Sequence, residues 1–282
     1  MRSLMTTIDL AGRLEGAPPQ RPVLLDVRWR LAGPPGRDSY RSGHLPGAVY
    51  LDLDTALAAP PGTGGRHPLP SPGDLQAELR VAGVRAGHPV VVYDDGDGSI
   101  AARAWWLLRW AGHREVAVLD GGFAAWAEEG RPLSAATPDP EPGDIEVEPG
   151  SMPVLDAEEA AGLARDGVLL DARAPERYRG ETEPIDPRAG HVPGARNAPF
   201  AENTGEDGRW RTPAELAAHY SRIGVTGDTA VGAYCGSGVT ACSVVLALEV
   251  AGRQEPAALY AGSWSHWAAD PARPVATGEL PG

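Results

Sequence analysis

The chain has 282 residues, 42% apolar and 22% charged, with a formal net charge of −13. This length fits one large domain or two of ordinary size, and the apolar content excludes a disordered chain. The acidic balance argues against a nucleic-acid partner, which needs a basic field. No apolar run reaches the length of a membrane span. The stretch MRSLMTTIDLAGRLEG lacks the apolar core of a signal peptide, so the expected compartment is the cytoplasm. The two cysteines, Cys235 and Cys242, lie about two helical turns, or ~10 Å, apart if helix joins them. A disulfide needs Cα atoms within about 7 Å. Two free thiols suit a reducing compartment.

In chain order, residues 4–16 read as a short strand and helix, and PVLLDVRW (22–29) as a buried strand ending near Asp26. A turn and second strand follow in SGHLPGAVYLDLD (42–54), then a Gly/Pro-rich loop over 59–72. Ser71 and Pro72 form an N-cap and N1 pair that opens a helix to about Ala82. HPVVVYDD (88–95) is a strand, SIAARAWWLLRWAG (99–112) a helix and EVAVLDGG (115–122) a strand, and FAAWAEEG (123–130) opens a helix. RPLSAATPDPEPGD, from 131, has the Pro-rich polar composition of a linker.

The order then repeats. GVLLDAR (167–173) matches PVLLDVR (22–28), and GHVPGARNAPF (190–200) matches GHLPGAVYLDL (43–53). The strand at 230–234 matches VVVY at 90–93, and AGSWSHW (261–267) partly matches GGFAAW (121–126). The fold class is α/β with two tandem domains, each a parallel sheet with helices on both faces. Expected boundaries are 1–130, a linker over 131–150, and 151–282. Ligands in such sheets gather outside the carboxyl ends of the strands. Asp26 and Asp171, each at a strand end near an arginine, read as buried structural carboxylates. His44 and His191, each in a GH-x-PG turn, read as structural too.

The halves differ in the loop after that strand. AVGAYCGSGVTACSVVLALEVAG (230–252) runs from strand through Cys235 and a small-residue turn into a helix from about Val239. Backbone N–H groups and the helix dipole converge on a thiol placed there, which suits an anionic sulfur. Cys242, inside the helix, reads as inert core. The first half has DDGDG at the corresponding place, with Asp94 or Asp95 in the cysteine's position. A carboxylate is a poor sulfur-type nucleophile, so the second half is expected to be catalytic and the first inactive.

These features together resemble the rhodanese, or sulfurtransferase, family in its two-domain form. The CGSGVTA sequence (235–241) is similar to that of 3-mercaptopyruvate sulfurtransferases, whereas typical thiosulfate sulfurtransferases carry CRKGVTA. The resemblance implies that Cys235 is nucleophile and sulfur carrier, passing a persulfide sulfur to cyanide, a thiol or a protein cysteine. Gly236, Gly238, Val239, Thr240 and Ala241 would form the substrate loop, with Gly236 and Gly238 permitting the tight turn. Ser237 would act in catalysis, in a relay with His67 and Asp52 of the first half. The resemblance places substrate arginines at Arg177 and Arg188, and Arg179 is a third candidate beside them. Guanidinium forks suit a 2-oxo acid carboxylate. The implied donor is a small anion, 3-mercaptopyruvate, with thiosulfate as the alternative.

No Cys/His cluster for zinc, dinucleotide fingerprint or Walker loop is present in the sequence, and no cofactor is expected. A phosphatase would usually need an arginine closing the loop, and 235–241 has none. A noncatalytic sulfur carrier is the remaining alternative.

Overall fold

The computed structural model describes residues 1–17 and 21–282. Contacts divide the chain into two compact units. One comprises Met1–Ala59, Pro70–Ser151 and Thr204–Trp210; the other comprises Pro60–Leu69, Met152–Asn203 and Arg211–Gly282. Two short segments therefore depart from the boundaries expected from sequence. Loop 60–69 packs with the second unit, and 204–210 with the first. The expected linker packs with the first unit: Ser134 bridges to His44, Gly143 N–H donates to Arg80 O, and Ile145 is buried.

In the first unit the elements run β1 (Leu4–Met5), α1 (Thr7–Glu15), β2 (Val23–Asp26), α2 (Gly36–Ser42), β3 (Val49–Tyr50), α3 (Leu53–Ala56), α4 (Pro72–Val81), β4 (Val90–Tyr93), α5 (Ala101–Trp110), β5 (Val116–Leu119) and α6 (Gly122–Glu128). Ser71 caps α4 by accepting from Asp74 N–H, with Pro72 in the first turn. The second unit continues with β6 (Val154–Leu155), α7 (Ala157–Asp166), β7 (Val168–Asp171), α8 (Pro175–Tyr178), β8 (Arg196–Asn197), α9 (Pro213–Arg222), β9 (Val231–Tyr234), α10 (Ala241–Val250), β10 (Ala258–Tyr260) and α11 (Ser263–Ala269).

Among the described residues each unit builds a five-stranded parallel sheet in the same order, β1-β5-β4-β2-β3 and β6-β10-β9-β7-β8. Their central strands are buried throughout, as unbroken apolar runs require when helices cover both faces. The order reverses between β2 and β4 and between β7 and β9, so the loops after β4 and β9 leave the sheet at a switch point.

The repeated motifs do the same structural work in both units. Asp26 holds Arg28, whose Nη2 donates to Gly43 O; Asp171 holds Arg173, whose Nη2 donates to Gly190 O. His44 stacks on Tyr40 and His191 on Tyr178.

Candidate active site

The loop between β9 and α10 carries Cys235. Gly238, at φ +80°, turns its N–H onto Cys235 Sγ at 3.1 Å. A Cβ at Gly238 would lie 2.2 Å from Ala261 O, so both conformation and space require glycine there. Val239 and Ala241 are buried, and Thr240 stands at the N-cap of α10. Cys242 is buried within α10, and its Sγ donates to Gly238 O at 3.4 Å. Both thiols are free. Cys235 is only 2% exposed, closer to a core residue than its glycine-rich surroundings suggested.

The start of α11 braces this loop from behind. Trp264 N–H donates to Cys235 O and Ser265 N–H to Gly236 O, both at 2.9 Å. Ser263 Oγ accepts the Cys235 N–H at 3.1 Å and donates to Tyr260 O at 2.9 Å.

Segment 65–67 is pinned to the same place. Arg66 N–H donates to Ser265 Oγ at 3.1 Å, and His67 Nδ1 lies 2.8 Å from Ser237 Oγ. Gly65, at φ +111°, lets the chain pass where a Cβ would be 2.8 Å from Gly262 O. The expected Ser237 and His67 are thus brought together. Asp52 lies in the first unit, where it caps α3 through Asp54 N–H and sits 3.8 Å from Arg37.

The expected arginines separate into three roles. Arg177 flanks the loop: a Cβ built on Gly236 would lie 3.4 Å from its Nη1. It pairs with Glu183 at 2.6 Å and Asp186 at 3.4 Å. Arg188, expected beside the substrate, instead donates to the carbonyls of Trp267, Ala268, Asp270 and Arg273 around the end of α11. The carboxyl end of a helix carries the negative end of its dipole, which holds a cation there. Arg179 pairs with Glu181 at the surface.

Sequence reasoning missed Arg66. Its Nη2 would lie 3.0 Å from a Cβ on Gly236, its Nη1 pairs with Asp186, and its buried Nε has no hydrogen-bond partner among the described residues. The available signal was its position directly before His67 in GRHPLP. Two guanidiniums thus face Gly236, where thiosulfate-type loops carry a side chain of their own. Burial raises the Asp186 carboxyl above its ordinary value, against the lowering pull of Arg66.

The equivalent loop of the first unit is filled from within. Asp94 Oδ1 accepts the N–H groups of Gly96 and Gly98, and Oδ2 those of Ile100 and Ala101, all at 2.9–3.0 Å. Gly98, at φ +72°, plays the part of Gly238. Burial, then repulsion from Asp97, pushes the Asp94 carboxyl up to about 6. Among the described residues no group of acids, histidines and cysteines could hold a metal ion, and no helix is long and apolar enough to cross a membrane.

Comparison with known proteins agrees with this geometry. The rhodanese-like domain profile matches residues 6–129 and again 156–270. The chain is 48% identical over 284 residues to the "Probable 3-mercaptopyruvate sulfurtransferase" of Pseudomonas aeruginosa, covering 98% of each chain. It is 44% identical to the "Putative thiosulfate sulfurtransferase SseB" of Mycobacterium tuberculosis, covering 98% of this chain and 97% of that one. The crystal structure of the 3-mercaptopyruvate sulfurtransferase SseA from Escherichia coli superposes with a TM-score of 0.81 at 30% identity, over 94% of this chain and all of that one. The matches run through both units and include the cysteine loop, so the chain belongs to the rhodanese family and is a sulfurtransferase built from two tandem rhodanese-like domains.

Proposed function

We propose that the chain moves sulfane sulfur from 3-mercaptopyruvate through a Cys235 persulfide to a thiol, cyanide or protein acceptor. The observation that carries this donor is the Ser237 Oγ to His67 Nδ1 contact of 2.8 Å beside the nucleophile. Breaking the C–S bond of mercaptopyruvate leaves an enolate that needs a proton, whereas sulfite leaves thiosulfate without one. A serine–histidine pair has a task only with the first donor.

The donor carboxylate would bind between Arg66 and Arg177, next to Gly236. Cys235 thiolate attacks the donor sulfur, an S–S bond forms, and the C–S electron pair passes to the enolate. The Ser237–His67 pair delivers the proton that yields pyruvate. The persulfide sits in the loop's N–H groups, an arrangement supported by Asp94. Its oxygens lie two bonds from Cβ, as the outer persulfide sulfur would, and take four N–H donors in the equivalent loop. Asp52 would be the relay's third member, and the first domain would be catalytically inactive. The acidic surface and free thiols fit a cytoplasmic enzyme with no nucleic-acid or membrane partner.

Thiosulfate is the second reading, favoured by the two guanidiniums at the loop. A side-by-side assay with cyanide as acceptor distinguishes the two. The expected result is a higher kcat/KM for mercaptopyruvate, loss of turnover in C235S, and a mass increase of one sulfur atom on Cys235 after donor treatment. A preference for thiosulfate overturns the donor assignment; no adduct with either donor overturns the persulfide route. D52N and H67Q tested with both donors assign the relay.

A further inference from the structure

A ladder of ion pairs leads from the core of the second unit to the cysteine loop. Asp171 faces Arg173, Arg173 faces Glu183, Glu183 faces Arg177, and Asp186 faces both Arg177 and Arg66. Three carboxylates thus balance three guanidiniums. The inner pair belongs to the fold, since Asp26 and Arg28 repeat it in the first unit. Glu183 is also fixed: it joins two arginines and accepts the N–H groups of Ile185 and Asp186.

Asp186 stands at the outer end of this ladder. Its side chain is 4% exposed and bridges the two guanidiniums that flank Gly236. That is the position the proposed mechanism gives to the donor's carboxylate. Among the described residues Arg66 also retains a buried Nε without a hydrogen-bond partner, so Asp186 does not use all the donors of the pair.

We propose that Asp186 is a charge filter on the donor site: a resident carboxylate that a singly charged carboxylate donor displaces or shares, and that penalises a donor bearing a second charge. The inference rests on the mercaptopyruvate reading for its biological sense. Its physical basis is the ladder's charge balance: with Glu183 and Asp186 both in place, Arg66 and Arg177 are neutralised. Without Asp186 one positive charge is left uncompensated at the loop, and the gain from it scales with the charge of the guest. Gly236 contributes by leaving room for Arg66, because a Cβ in that position would lie 3.0 Å from its Nη2 and press the guanidinium aside by a few tenths of an ångström.

The test measures kcat/KM for both donors, with cyanide as acceptor, in wild type, Asp186→Asn and Asp186→Glu. Asp186→Asn is expected to shift the thiosulfate-to-mercaptopyruvate ratio about tenfold toward thiosulfate, mainly through KM. Asp186→Glu, which keeps the charge, stays within about threefold of wild type. An unchanged ratio in Asp186→Asn, or an equal shift in Asp186→Glu, overturns the filter. Inhibition of the wild type gives an independent reading should Asp186→Asn not fold. Pyruvate, a monoanion, should compete at lower concentration than the dianion malonate, and the reverse order overturns the proposal. A wild-type preference for thiosulfate refutes the donor assignment alone, because the filter is read from the change in ratio between variants.

Discussion

Ser263 is the only non-glycine residue with a positive φ among the described residues, at +54°, and it is fully buried against the nucleophile's backbone. The matching residue of the first unit is Gly122, at φ +53°, where a Cβ would lie 2.7 Å from Asp94 O. A left-handed serine costs about 1 kcal/mol relative to glycine. Here it supplies an acceptor for Cys235 N–H, so backbone strain coincides with the proposed nucleophile. Ser263→Gly should keep the fold, with Tm unchanged or slightly raised, and lower kcat/KM about tenfold, the weight of one buried hydrogen bond. Thermal melts and steady-state kinetics on the same preparation check both halves of that expectation. At this scale the form of the loop around Cys235 was legible because it is local: a cysteine, small residues and a helix start within a few positions. Arg66 was not, because its role comes from a loop that docks on Gly262–Ser265 about two hundred residues later.

At the scale of elements, strands and helices were readable from apolar runs and caps. The short α8 and the polar-faced α2 have too few apolar positions to announce themselves. Arg188 shows the limit of carrying a role over by resemblance. Its place just before the GH-x-PG turn implies a second substrate arginine, but in space it closes the carboxyl end of α11. Arg188→Met should therefore lower stability by on the order of 2 kcal/mol, read from the denaturant midpoint. The KM for mercaptopyruvate should change less than in Arg177→Met; a KM effect as large as that of Arg177→Met would return Arg188 to the substrate. The same helix carries Ser263 at its start, so its two ends have separate duties: one braces the nucleophile, the other fixes the loop containing Asp186.

For the whole molecule, the internal repeat made the two-domain architecture legible, while the exchange of segments 60–69 and 204–210 between units had no signal in composition. Several acids are held above their ordinary range by burial: Asp94, Asp95, Asp120 and Asp186. A carboxyl whose folded pKa is raised binds its proton more readily folded than unfolded. Its stabilising contribution is complete below its ordinary value near 4 and is lost as pH rises through the folded value, about 6 for Asp94. The net charge of −13 adds self-repulsion in the same direction. Burial lowers His113, His219 and His266, which act in the opposite direction, so the Asp94 contribution is read as a difference. Between pH 5 and pH 7 the urea midpoint of wild type should fall relative to that of Asp94→Asn, and identical pH dependence in the two proteins contradicts the assignment. Asp94 has a further consequence, in stoichiometry. Its carboxylate is a guest tethered to its own host, at an effective concentration that dissolved anions seldom match. Duplication doubled the scaffold, and the tether keeps it from doubling the number of vacancies.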